Sequence, residues 1–175
     1  MNNSYNGHLC IVFALEHYNP LNMIRAFGES GINPVYISVK RRYEVAIFSK
    51  YISKLHRVDS VEEGFRLLLD EYGNFDSDHK PYIVFSDDKS VGYFDLHYDE
   101  WKGKFIAYNA GKTGRINEFM DKYNIQQLAK KHGFNVLDSY VISKNDDLPK
   151  DLWYPIITKD ISPNSGSWKE DVYVC

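Results

Sequence analysis

Cysteine is scarce. The 175-residue chain holds two, Cys10 inside an apolar run and Cys175 at the last position, too few and too far apart to form a disulfide framework. That usage fits a reducing compartment, and a cytoplasmic location is expected. Long hydrophobic runs are lacking as well: the longest, Leu9 to Leu15, covers seven residues, whereas a membrane span needs about 20. The N-terminus, Met1 to His8, has no basic segment of the kind that opens a secretion signal. Nor is there an excess of positive charge. Lys and Arg total 21 against 24 for Asp and Glu, a net charge of -3 with the signs mixed along the chain, which excludes a basic nucleic-acid footprint. What remains is an ordinary globular composition, 43% hydrophobic and 26% charged, rich in Tyr (14) and Phe (10). Its length suits one domain, or one domain and part of a second, with about 70% of the extended-chain surface buried.

Leu9-Cys10-Ile11-Val12-Phe13-Ala14-Leu15 has the uninterrupted apolarity of a strand covered on both faces, as in a parallel sheet. Asn19 is read as a helix cap with Pro20 in the first helical position, Leu21, Ile24 and Phe27 follow at helical spacing, and Gly31 stops the helix. Pro34 to Val39 reads as a second strand and Lys54 to Val58 as a third. Ser60 caps the next helix with Glu63 at the capping-box position, over the apolar stripe Phe65, Leu68, Leu69, Tyr72. Tyr82 to Phe85 is a further buried strand, followed by Ser86-Asp87-Asp88 at a helix start, and Phe105 to Tyr108 is a last strand. Strands alternating with helices predict an α/β fold with a Rossmann-like parallel sheet over residues 6–108.

Around Asn109-Ala110-Gly111 the rhythm changes. Helical segments are expected over Arg115–Lys122 and Tyr123–His132, closed by Gly133, then strands over Val136–Ile142, Tyr154–Lys159 and Asp171–Cys175 in an antiparallel meander. The last of these stops at the chain end, so residues 109–175 are expected to form an incomplete second domain.

In open parallel sheets ligands sit beyond the carboxyl ends of the strands. Two segments fall there: Glu16, His17 and Asn19 after the first strand, and Asp87 and Asp88 after the fourth, both eligible for a small-molecule substrate loop. As helix caps and first-turn acids they also have a purely structural use. In the second region Lys122 sits on a helix and Lys159 ends an apolar strand, where a lysine either reaches solvent or meets an anion. Ser162 to Lys169 is a small-residue loop with Ser165, Gly166 and Ser167 before Lys169, suited to folding over phosphate oxygens or to a simple hairpin connection. No GxxxxGK[ST], GxGxxG or GxSxG motif occurs, and the six histidines have no metal-ligand spacing. No metal ligand and no catalytic residue is assigned.

These pieces in this order resemble the ATP-grasp superfamily of carboxylate-amine ligases. Phe119-Met120-Asp121-Lys122-Tyr123, the helix running through Leu128-Ala129-Lys130 to Gly133, and Tyr154-Pro155-Ile156-Ile157-Thr158-Lys159 carry the resemblance. It implies a pre-ATP-grasp domain followed by the start of the ATP-grasp domain. Lys122 and Lys159 then hold the ATP phosphates, with Ser165, Gly166, Ser167 and Lys169 in the loop that closes over them. The implied reaction joins a carboxylate to an amine or a thiol through an acyl phosphate, with ATP and Mg²⁺ as cofactors. By the same resemblance the adenine hinge and the Mg²⁺ ligands lie in a later half, so this stretch alone is expected to be truncated and inactive. The alternative is a non-catalytic Rossmann-like small-molecule module that forms homodimers through its C-terminal strands. Neither reading involves nucleic acid or a membrane.

Overall fold

The structure, a computed structural model, describes residues 3–75, 77–143, 145–159 and 172–174. Two compact units divide between Ile116 and Asn117.

The first unit is built on a six-stranded, mostly parallel sheet. In chain order its elements are β1 (Ser4–Tyr5), β2 (His8–Leu15), α1 (Tyr18–Glu29), β3 (Val35–Val39), a 3-10 turn (Ala46–Phe48), β4 (Lys54–Val58), α2 (Val61–Tyr72), a 3-10 turn (Ser77–His79), β5 (Tyr82–Phe85), α3 (Asp88–Leu96), α4 (Tyr98–Trp101), β6 (Ile106–Ala107) and α5 (Arg115–Met120), which crosses into the second unit. The strand order is β4-β3-β2-β5-β6, all parallel, with β1 added antiparallel to β2. Counted from β2, this is the 3-2-1-4-5 order of doubly wound sheets, and its direction reverses between β2 and β5. The unit is Rossmann-like.

The apolar run of β2 is explained by its central place, with a core on each face. Ile11 and Phe13 join β3 residues Val35, Ile37 and Val39, α2 residues Val61, Phe65 and Leu68, and Phe94 and Trp101 beyond β5. Val12 and Ala14 face the other way, onto Ile24 of α1, Tyr36 and Ala46. Trp101 satisfies its buried indole by donating to the Phe94 carbonyl at 2.8 Å.

Helix starts follow side-chain caps. Ser60 Oγ accepts from the Glu63 N–H at 3.0 Å, and the Glu63 carboxylate accepts from the Asp59 N–H at 2.7 Å, one residue before the capping position that a strict capping box would use. At α1 the expected cap is corrected: the helix begins at Tyr18 and its cap is His17, whose Nδ1 accepts from the Asn19 N–H at 3.1 Å. Pro20 therefore sits inside the first turn, where its missing N–H leaves no helical bond unmade.

In the second unit α6 (Lys122–Lys131) is capped by Asp121, which accepts from the Asn124 N–H at 2.8 Å, and ends at Gly133, whose φ of +78° is the left-handed C′ conformation. β7 (Ile157–Lys159) pairs antiparallel with β8 (Val172–Val174). The strand expected over Val136–Ile142 is not formed; these residues run without strand pairing and, from Phe134 to Tyr140, wall a recess of about 420 Å³ against Gln126, Gln127 and Lys130 of α6. An alternating apolar pattern becomes a strand only where a neighbouring edge supplies hydrogen bonds, and β8 takes β7 instead.

Candidate functional site at the sheet switch point

β2 and β5 lie side by side and parallel, so their carboxyl ends open at one edge of the sheet, where the strand order reverses. The two segments singled out after these strands meet there. Asp87 caps α3, with Oδ1 accepting from the Ser90 N–H at 2.8 Å and Oδ2 from the Ser90 hydroxyl at 3.0 Å. The same Oδ2 reaches across to the Leu15 N–H of β2 at 2.8 Å. One carboxylate thus ties the end of β2 to the start of α3, just beyond β5.

His17 stands in the opening. Burial is the main cause that holds its pKa below the ordinary imidazole value, opposed by the charges of Asp87 and Glu16 and reinforced by Arg41. With Nδ1 accepting from the Asn19 amide, the neutral ring carries its proton on Nε2, a donor with no partner among the described residues. Arg41 comes from the segment after β3, a strand parallel to β2, and so arrives at the same edge. Ser86 adds a buried hydroxyl without a hydrogen-bond partner among the described residues. Asp88 is exposed in the first turn of α3 and Asn19 is exposed in that of α1. A ring N–H donor and a guanidinium at one strand edge can receive a small polar ligand with acceptor oxygens.

Glu16 is different. It is 1% exposed and points inward, where Oε2 accepts from Tyr36 Oη at 2.5 Å and Ser38 Oγ at 3.1 Å. Oε1 accepts from the N–H groups of Val45 (2.6 Å), Ala46 and Ile47 (3.4 Å). Oε1 thus fixes the 3-10 turn and Oε2 ties the carboxylate to β3, leaving neither oxygen free for a ligand. Burial, with the Glu16 carboxylate adding to it, holds the Tyr36 hydroxyl far above its ordinary pKa.

Sequence reasoning found His17, Asp87 and Ser86 as neighbours of strand ends but overlooked Arg41, Tyr36 and Ser38. The signal for Arg41 was available: it follows an apolar strand by the same short distance as His17 follows β2, and parallel strands end at one edge.

The phosphate-site residues fall in the second unit. Lys122 is exposed in the first turn of α6, and Lys159 is the last residue of β7. Ser165, Gly166, Ser167 and Lys169 lie outside the described residues. Among the described residues no group of three or more His, Cys, Asp or Glu side chains gathers as a metal site, and no helix is long and apolar enough to cross a membrane.

The fold and this edge define an α/β protein with a Rossmann-like sheet and a polar opening at its switch point. No family model matches the chain, and no curated protein matches it.

Proposed function

We propose that the chain serves an ATP-dependent ligase of the ATP-grasp type, joining a carboxylate to an amine or thiol. Support comes chiefly from the succession of parts: a 3-2-1-4-5 parallel sheet, then a separate unit in which a capped helix begins at Lys122 and an antiparallel strand pair carries Lys159. In this reading the first unit's switch point, with the His17 Nε2–H and Arg41, can receive a small anionic ligand. A carboxylate oxygen attacks the γ-phosphorus of ATP and ADP leaves; the amine or thiol then attacks the acyl carbon and inorganic phosphate leaves. Lys122 and Lys159 bear on the first step, because the transferred phosphoryl group gathers charge that fixed ammonium groups stabilise. ATP brings the phosphoryl group, and Mg²⁺ is held by residues other than those described.

The test is MgATP binding by the protein, measured by calorimetry for the wild type and the K122A, K159A and K54A variants. A charge-assisted hydrogen bond contributes about 1.5–3 kcal/mol, so K122A and K159A are each expected to weaken ATP about tenfold to a hundredfold. Lys54, in the first unit, pairs with Glu71 at 2.7 Å, and K54A is expected to leave ATP affinity unchanged. Absence of ATP binding, or equal effects of all three substitutions, overturns the proposal.

A second reading, a small-molecule module that pairs copies through its last strands, draws support from the two-stranded β7-β8 sheet, in which each strand has a free edge among the described residues. It shares the switch-point site and differs in predicting no ATP dependence on either lysine.

A further inference from the structure

On the face of the first unit that carries α1, a groove of about 350 Å³ runs between the helix and residues 45–51. Leu21 and Arg25, one turn apart on α1, form one wall; Val45, Phe48, Lys50 and Tyr51 form the other. Three features mark it as built rather than incidental. Its outer wall is fixed, because the Glu16 carboxylate holds the N–H groups of Val45, Ala46 and Ile47 from inside the molecule. Tyr51 is seated directly on α1 at Gly28: a Cβ there would lie 2.1 Å from the Tyr51 ring, so the glycine is what lets the ring close against the helix. And Phe48, held on this rigid turn, is 79% exposed, with Val45 exposed beside it.

A ring presented on a preorganised segment favours binding, since no ordering of that segment is left for the partner to impose. The charge on the groove is of one sign. Arg25 and Lys50 flank it, Lys50 lies 5.0 Å above the Tyr51 ring, and neither cation meets a carboxylate among the described residues, although the chain as a whole is net negative at -3.

We propose that this groove docks an extended acidic segment of a partner protein, one that inserts a large apolar side chain against Phe48 and Tyr51 while its Asp or Glu residues engage Arg25 and Lys50. Aromatic and Arg side chains in such a setting are the groups that concentrate binding energy, and the cations select the sign of the partner. The cavity is at the small end of the range for ligand pockets, about 300–1,000 Å³, which suits one anchoring side chain rather than a cofactor.

The probe is a phage-displayed random dodecapeptide library selected on the full chain, with F48A and R25E proteins as counter-selection. Both replaced side chains are exposed, and unchanged melting temperatures confirm that the variants fold. The expected outcome is enrichment of peptides with an apolar residue flanked by Asp or Glu. The enriched peptides, made synthetically, are expected to lose about tenfold or more in affinity against either variant and to weaken with salt. No enrichment, enrichment without acidic residues, or binding indifferent to F48A and R25E overturns the proposal. Sedimentation is run alongside: a dimer of the wild type that F48A dissociates means that the occupant is a second copy of this chain, and also overturns it.

Discussion

Replacing Glu16 tests whether a buried carboxylate, rather than local propensity, fixes the crossover between β3 and β4. Its two oxygens receive five donors: two hydroxyls, Tyr36 and Ser38, and three backbone amides, Val45 to Ile47. Glu16→Gln keeps the shape. The amide oxygen can face the three N–H groups, which have no acceptor capacity, while its NH₂ turns to the hydroxyls, which can rotate and accept. Only the charge assistance is lost, so the cost is about 1–2 kcal/mol. Glu16→Ala strands buried donors at about 1–3 kcal/mol each and leaves a cavity; even with water or rotation rescuing some of them, the sum is roughly 4 kcal/mol or more. For a chain of this size that is a fall in melting temperature of about 3–6 °C for Gln and upwards of about 10 °C for Ala. Urea unfolding measures the ranking, and amide hydrogen exchange locates it: Val45, Ala46 and Ile47 are expected to lose protection first. An alanine variant with wild-type stability, or with those three amides still protected, refutes the reasoning.

His56 makes the first unit sensitive to acid. It is about 10% exposed, bonded to Tyr72 Oη at 2.8 Å and 3.6 Å from the Glu71 carboxylate; burial, which outweighs the pull of Glu71, holds its pKa below the ordinary 6.5. The unfolded chain therefore takes up the proton first, so the stability from the neutral ring is complete above about pH 6.5 and declines as pH falls toward the lower folded value. His17 adds in the same direction. Urea midpoints between pH 7.5 and 5.5 are expected to decline, with a shallower slope in His56→Gln; parallel slopes would remove His56 as the cause. Gly28→Ala sets two effects against each other: alanine gains about 0.5–1 kcal/mol in a helix, but its Cβ would meet the Tyr51 ring at 2.1 Å, an overpacking cost of about 1–3 kcal/mol. A net loss of stability is expected by urea unfolding, and a gain would show that Tyr51 yields freely.

The parts of the fold legible in the sequence were those written in contiguous residues. The β2 run could be read because a strand covered on both faces needs no alternation. The Ser60 and Glu63 pair could be read because a cap acts over three positions. The start of α1 was misplaced for the same local reason: Asn before Pro is a frequent helix opening, but a histidine two residues earlier supplied an acceptor for the Asn19 amide. Glu16 was misread as a loop residue for a different reason. A carboxylate right after an apolar strand looks like the beginning of a solvated turn, and its partners lie 20 to 31 residues further on, at positions that only the parallel pairing of β2 with β3 brings beneath it. Val136 to Ile142 illustrates the opposite failure, since a valid local pattern lacked the neighbour that pairing needs.

The same long-range contacts decide what the switch point can accept. A sheet of this order ordinarily offers the first βα turn to a dinucleotide, through glycines that let the pyrophosphate approach free amides at the helix start. Here that turn is Glu16-His17-Tyr18-Asn19-Pro20, without glycine, and three of its five positions offer no free amide: Glu16 N–H donates to the Val39 carbonyl, Asn19 N–H to His17, and Pro20 has none. Asp87 would also place a negative charge against any phosphate seated there. A pyrophosphate would have to displace the His17 cap from the Asn19 amide and approach the Asp87 carboxylate. What stays open is set by side chains and not by backbone: the His17 Nε2–H and Arg41. Both are donors suited to one small anionic group near the rim rather than a long diphosphate lying across the turn, so the sheet keeps the topology of a nucleotide-binding unit while its own capping residues turn the opening toward a compact ligand.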